Sequence, residues 1–371
     1  MPHFYGYPGQ SYNYDEDHDG TIDSVLTVDE DLFYSAFEDM KTKRERGETY
    51  IMPSGTWAEE TDAFQEFFIG KAVEEIEEFY ALYCSDINGK PLKIVDASSA
   101  EDIAKYEALT DEEKAMLDNL TASASMSLND AHGSILNAII NAYEVKEPIA
   151  VETVAAQGMG ITFNGRPIGG GKEDAEGYKT YGFEEAFVST LFDAEGRIVD
   201  IQIDQYELTT PNGAGAGQTH FSGWPGQEYT IDADHNKEVE GFFTITEESL
   251  AEEATLWISK SDRGDDYMIP AGSWQSQANF YEDLFKGMTI EEVKEWQATY
   301  CSDEVGKPLV ITDKSSEADI AKYEALTDEQ KAELDDIVAG ASISLSDWFG
   351  HILQAMEKSY EYRVEVDITV G

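Results

Sequence analysis

The chain has 371 residues, 41% hydrophobic and 12% aromatic, enough for two domains with buried cores. Its 76 acidic residues against 25 basic ones give a formal net charge of −51, which repels phosphate backbones and anionic lipids and excludes nucleic-acid binding. Two cysteines cannot build a disulfide framework, no apolar run reaches membrane-spanning length, and Met1-Pro2-His3-Phe4 does not read as a signal peptide. The chain is therefore expected to be cytoplasmic, or secreted and seen here without its export segment.

In chain order, the first signal is His3-Phe4-x-Gly6-x-Pro8-Gly9-Gln10. The acidic run Asp15-Glu16-Asp17-His18-Asp19-Gly20-Thr21-Ile22-Asp23 then matches the first nine positions of an EF-hand calcium loop. Leu26 stands where the bidentate Glu is needed, so a solvated acidic loop is preferred to calcium at Asp15, Asp17 and Asp19. Residues 30–43 read as a helix. Residues 61–83 carry apolar side chains at helical spacing among glutamates and read as one amphipathic helix. Ser99-Ala-Glu-Asp102 starts a short helix through Tyr106. Thr110-Asp-Glu-Glu113 is a capping box that opens another, with Leu117 and Leu120 buried. A last helix follows Ser127 through Tyr143.

This whole series recurs. The string Tyr-Cys-Ser-Asp-x-x-Gly-Lys-Pro-Leu around Cys84 returns 217 residues later around Cys301. The same offset carries His3–Gln10 onto His220–Gln227, Arg46-Gly47 onto Arg263-Gly264, Trp57 onto Trp274 and Ser127 onto Ser344, with about four positions in ten identical and no gap. Two domains follow: a first copy at 1–150 and a second at 151–371. The second opens with a β-hairpin over 182–208, alternating around Asp193-Ala-Glu-Gly196 between Gly/Pro-rich loops. Its counterpart would precede residue 1. The first copy is thus expected to be truncated, or to borrow pairing from a segment such as Ile149–Val154. Helices beside antiparallel strands define an α+β class.

The segment closest to chemistry is Ala122-Ser-Ala124-Ser125-Met-Ser127 and its twin Ala339-Gly340-Ala341-Ser342-Ile343-Ser344. Small side chains let a ligand approach the backbone, Gly340 permits positive φ, and a following helix start favours an anion. The plainer interpretation is an N-cap at Ser127 and Ser344, with Asp130 and Asp347 three residues on. No His or Cys spacing supports zinc, Cys84 and Cys301 read as buried thiols, and no hydrolase elbow, P-loop or dinucleotide-binding glycine string occurs.

Ala339–Ser344, with a hairpin before it and a helix after it, resembles the flavinylation motif of the FMN-binding domain family, Ser/Thr-Gly-Ala-Thr/Ser-x-Ser/Thr. The resemblance spans both copies, although only these six residues bear on cofactor attachment. It implies FMN joined by a phosphoester to Ser344, with Gly340, Ala341 and Ser342 completing the motif. In the first copy it implies attachment to Ser127, with Ala124 and Ser125 alongside. Ala339 and Ser123 depart from the family pattern. The resemblance further implies an extracytoplasmic, cell-surface electron carrier, loaded by a flavin transferase and served by a redox partner protein or membrane electron-transport complex. Trp274, Trp224 and Tyr267 are candidates to stack on the ring. The competing expectation is a surface binding or adhesion module of the same fold without cofactor, calcium-dependent in one version.

Overall fold

The computed structural model describes residues 3–17, 19–129, 134–146, 154–167, 180–211, 219–231, 241–346 and 351–366. The chain divides into two compact units, one of residues 41–149 and one of residues 1–40 with 150–371. This division differs from the 1–150 and 151–371 drawn from the repeat. Tyr7, Phe33 and Phe37 bury themselves with Tyr181, Leu208 and Phe221, so the first forty residues share the core of the second copy.

Along the chain, hairpin β1 (Ser11–Tyr14) and β2 (Ser24–Thr27) leads to α1 (Glu30–Glu38), capped by Asp29. The 41–149 unit has the short pair β3 (Ile51–Met52) and β4 (Gly55–Thr56), then α2 (Trp57–Phe68) and α3 (Val73–Tyr83). It continues with α4 (Ala100–Glu107), α5 (Asp111–Ser123) and α6 (Ile135–Glu144). The other unit resumes with β5 (Ala156–Pro167), β6 (Tyr181–Phe192), β7 (Ile198–Thr209) and hairpin β8 (Glu228–Ile231) and β9 (Gly241–Thr244). There follow α7 (Glu247–Ala254), β10 (Met268–Ile269), β11 (Gly272–Ser273), α8 (Trp274–Phe285) and α9 (Ile290–Tyr300). It closes with α10 (Glu317–Ala325), α11 (Asp328–Gly340), α12 (Ile352–Glu361) and β12 (Val364–Glu365). The fold is α+β.

The caps form as read: Thr110 with Glu113 makes a capping box, Thr327 with Gln330 another, and Ser99 and Ser316 accept from the third residue on. The stretches 61–83 and 278–300 are each two helices, because the chain reverses at Gly70 and Gly287, where φ is 82° and 84°.

The four-stranded antiparallel sheet runs β12-β5-β6-β7. Its β6–β7 part is the expected hairpin, and β5 is an addition. A Cβ at Gly158 or Gly160 would lie 1.8 Å from the carbonyl oxygen of Ser359 or Ala355. Glycine there lets α12 lie directly on the strand and bury Ile352, Ala355, Met356 and Ser359. Among the described residues the 41–149 unit has no such sheet, and Ala138 and Ala142 of α6, the counterparts of Ala355 and Ser359, are exposed. Ile149–Val154, expected to supply pairing, lies almost entirely outside the described residues.

The two His-Phe-x-Gly-x-Pro-Gly-Gln segments interlock. Gln10 Nε2 donates to the Ser222 carbonyl (2.6 Å), and Gln227 Nε2 donates to the Tyr5 carbonyl (2.7 Å). Their Oε1 atoms accept from the Tyr7 and Trp224 N–H groups at 2.8 and 2.7 Å. Each bond has its equivalent at the 217-residue offset, so the recurring glutamine is a structural clasp.

Candidate functional site

The Ser-rich loops follow α5 and α11. Ser125 binds the buried Glu60 carboxylate through N–H (2.6 Å) and Oγ (2.9 Å), and Ser342 binds Gln277 Oε1 in the same two ways (2.6 and 3.0 Å). Ser127 Oγ faces the carbonyls of Asn88 and Asn129, and Ser344 Oγ those of Val305 and Ser346. These contacts tie each loop to the Cys-Ser-Asp-x-x-Gly-Lys-Pro turn, helped by the Leu128 and Leu345 N–H groups donating to Gly89 and Gly306.

Three expectations change here. Neither serine caps a helix: the described helices start at Ile135 and Ile352, with Ser134 and His351 at the N-cap positions, so no helix N-terminus stands at Ser127 or Ser344. Asp130 and Asp347 lie outside the described residues. Gly340 is the last residue of α11 and has no positive φ; a Cβ on it would lie 2.3 Å from the Phe280 ring. The first copy pairs the larger Ser123 with the smaller Ala63 at these positions, so Gly340 reflects packing and not ligand approach.

A cavity of about 620 Å³ does open beside Ser342 and Ser344, bounded also by Trp274, Tyr267 and three cationic side chains, Arg166, Lys260 and Lys307. Arg166, on β5, pairs with Glu184 of β6 at 2.9 Å and with Glu207 of β7. Lys260 Nζ reaches Glu184 Oε1 (3.2 Å) and Gln205 Oε1 (3.0 Å). Arg263, behind them, donates to the Glu207 carbonyl (3.0 Å) and Thr219 Oγ1 (2.8 Å) and lies over the Tyr267 ring. Burial opposes the Glu207 charge, yet Lys260 and Arg166 outweigh it and hold the carboxyl well below its ordinary range. Burial, then Arg166 and Lys260, push the Lys307 amine below its ordinary value. Gln205 is 1% exposed, and its Nε2 has no hydrogen-bond partner among the described residues.

Of the expected site residues, Ser342, Ser344, Trp274 and Tyr267 meet at this cavity. Ala341 is buried under the loop, and Trp224 instead belongs to the N-terminal clasp, donating Nε1–H to the Phe4 carbonyl at 2.7 Å. Ala124, Ser125 and Ser127 belong to the other unit, which repeats part of the cation set: Lys43 and Arg46 lie over Tyr50 as Lys260 and Arg263 lie over Tyr267. There Lys43 is exposed, because Arg166, Glu184, Gln205 and Glu207 all come from a sheet that has no counterpart among the described residues of this unit. The sequence reading missed these cations. Their signal was the recurrence of Lys43, Arg46 and Tyr50 at Lys260, Arg263 and Tyr267, invariance that surface residues rarely need.

Asp15, Asp17 and Asp19 do gather, with ligand atoms within 4.8 Å of one another. They close the β1–β2 turn: Asp15 accepts from Gly20 N–H (2.8 Å), and Asp19 accepts from Thr21 N–H (2.7 Å). Strands flank this loop where an EF-hand has helices, and Leu26 pairs with Tyr12 in the hairpin. Cys84 and Cys301 are buried free thiols, pushed up to about 12 by burial and so unreactive.

No protein-family model and no solved structure matches the chain. It is similar to a protein named chlorophenol reductase from Desulfitobacterium hafniense, 32% identical over 219 residues, which cover 57% of this chain. The chain spans only 58% of that relative's length.

Proposed function

We propose that this chain is an extracytoplasmic, cell-surface electron carrier of the FMN-binding type, holding FMN in the cavity beside Ser342 and Ser344. The observation that carries this reading is a pocket lined by cations, by Gln205 and by the aromatics Trp274 and Tyr267, in a chain whose net charge is strongly negative. Arg166, Lys260, Lys307 and Gln205 suit the phosphate and hydroxyl groups of FMN, and the two aromatics suit its ring. The flavin, when bound, supplies one- and two-electron transfer; this chain's residues bind it, orient it and exclude water. A similar protein named as a reductase agrees with redox work.

Attachment through Ser344 makes a stricter demand. Its hydroxyl is held between two backbone carbonyls in a residue 3% exposed, so a transferase needs the Ser346 or Val305 contact to open first. The same holds for Ser127, whose hydroxyl faces the Asn88 and Asn129 carbonyls. FMN held by the cations needs no such opening. A soluble redox protein or a membrane electron-transport complex would complete the function.

The test is expression with a flavin transferase, followed by mass spectrometry of the native and the denatured protein. Flavin present in both spectra and lost in Ser344→Ala means phosphoester attachment. Flavin present only in the native spectrum means reversible binding. Its absence from both, from the native source as well, removes the flavoprotein reading in favour of a cofactor-less binding module.

A further inference from the structure

We infer that the cleft where the two His-Phe-x-Gly-x-Pro-Gly-Gln segments interlock is a binding site for a neutral oligosaccharide, stacked on the rings of Trp224, Tyr5 and Tyr12. The cleft is a cavity of about 410 Å³ bounded by both segments and by β1, and it shares no lining residue with the cavity beside Ser344. Its volume lies within the range of about 300–1,000 Å³ usual for small-ligand sites. The clasp that joins the segments also fixes the rings. Trp224 Nε1–H donates to the Phe4 carbonyl (2.7 Å), the Trp224 backbone N–H donates to Gln227 Oε1 (2.7 Å), and Gln227 Nε2 donates to the Tyr5 carbonyl (2.7 Å). Tyr5 and Tyr12 meet edge to face, with centroids 5.3 Å apart and planes at 74°, and so form a corner. Rings held in this way offer flat apolar faces with little further freedom to lose on binding.

The repeat separates these rings from the clasp itself. At the 217-residue offset Tyr5 corresponds to Ser222, and Trp224 corresponds to Tyr7, which is buried and donates its hydroxyl to the Leu208 carbonyl (2.6 Å). The clasp thus closes with a serine in the place of Tyr5 and with a buried ring in the place of Trp224, yet Trp224 stays 37% exposed. Polar groups border the same corner: Ser11 and Asn13 are exposed, and among the described residues the Tyr5 and Tyr12 hydroxyls make no hydrogen bond. The described lining holds no Asp, Glu, Lys or Arg, although these residues make up 27% of the chain. A neutral sugar presents apolar C–H faces to the rings and peripheral hydroxyls that both donate and accept, which this mixture of groups answers. A polyproline segment also presents apolar ring faces, but it has no N–H to offer the Asn13 carbonyl or the hydroxyl lone pairs.

The experiment is titration of the purified full chain with neutral tetrasaccharides of glucose, galactose, mannose and N-acetylglucosamine, beside decaproline and a uronate tetramer, followed by calorimetry and tryptophan fluorescence. At least one neutral tetrasaccharide should bind, and Trp224→Ala and Tyr12→Ala should each weaken it by about three- to tenfold. Decaproline and the uronate tetramer should bind more weakly, the latter repelled by the net charge of −51. Trp224→Ala also removes a bond of the clasp, so Tyr12→Ala and Asn13→Ala, whose side chains take no part in it, decide the matter, with thermal unfolding to confirm that they fold. Binding of no neutral tetrasaccharide, or binding indifferent to both of these variants, would overturn the site. Tighter binding of decaproline or of the uronate tetramer, lost in the same variants, would give the cleft to that ligand and overturn the neutral sugar.

Discussion

Ser127 and Ser344 show how one residue supports two interpretations until its hydrogen bonds are known. A serine in a small-residue turn ahead of a helix reads equally as a cap or as an attachment point, yet each hydroxyl is spent on backbone carbonyls across a loop. Ser127→Ala and Ser344→Ala should each lower stability by about 1–2 kcal/mol, measured by urea unfolding, whether or not flavin is present. A loss confined to flavin-loaded protein would show that the hydroxyl's work is attachment instead. Glu185 provides a second test. Burial pushes its carboxyl up to about 7, from an ordinary 4.5, so the folded state holds that proton more tightly than the unfolded chain. Stability is therefore gained as pH falls from about 7 toward 4.5, while the depressed Glu207 stays ionised until far lower pH. Glu185→Gln should raise Tm at about pH 8 and much less at about pH 5.5; equal shifts at both would contradict the assignment. At this scale the sequence was a partial guide. Ser342, Ser344, Trp274 and Tyr267 were singled out from the sequence and line one cavity, whereas Arg166 and Gln205 were not, because they come together only where β5 and β7 each pair with β6.

Elements were legible where the signal is local. Reciprocal Thr–Glu and Thr–Gln caps, the alternation of β6 and β7, and the helical spacing of the Phe and Trp positions all read true. Strand β5 was not read from the sequence: Gly158, Gly160 and Gly165 weaken the strand pattern, although a helix or the Phe37 ring presses on each. That cause is tertiary, and no window of sequence contains it. Gly160→Ala should cost about 3 kcal/mol or more, since its Cβ meets a helix carbonyl that cannot swing aside. The helices give a paired contrast. Ala355→Leu on α12 should cost about 1–3 kcal/mol by overpacking the sheet, and Ala138→Leu on α6 should stay within about 0.5 kcal/mol. Equal costs by chemical unfolding would show that the α6 face is covered as well.

Across the molecule the charge is distributed unevenly: the chain is rich in carboxylates, while Arg166, Lys260 and Arg263 are buried together with Glu184 and Glu207. Repulsion among surface carboxylates is screened over about 10 Å at 0.1 M salt, so Tm should rise with sodium chloride up to about that concentration, while FMN binding at the enclosed cluster should weaken far less than a surface pairing would. The 217-residue recurrence was legible over residues 3–144, but not its consequence, which is that among the described residues the Lys-Arg-Tyr set is enclosed where a four-stranded sheet lies against it and exposed at Lys43. The direct test of that consequence is a visible absorption spectrum of the full chain after mixing with excess FMN and desalting, beside Lys307→Met treated alike. The cavity predicts a retained flavin band, bleached and restored by reduction and reoxidation, and weakened in the variant. A colourless protein in both samples, with all the flavin in the small-molecule fraction, would contradict it.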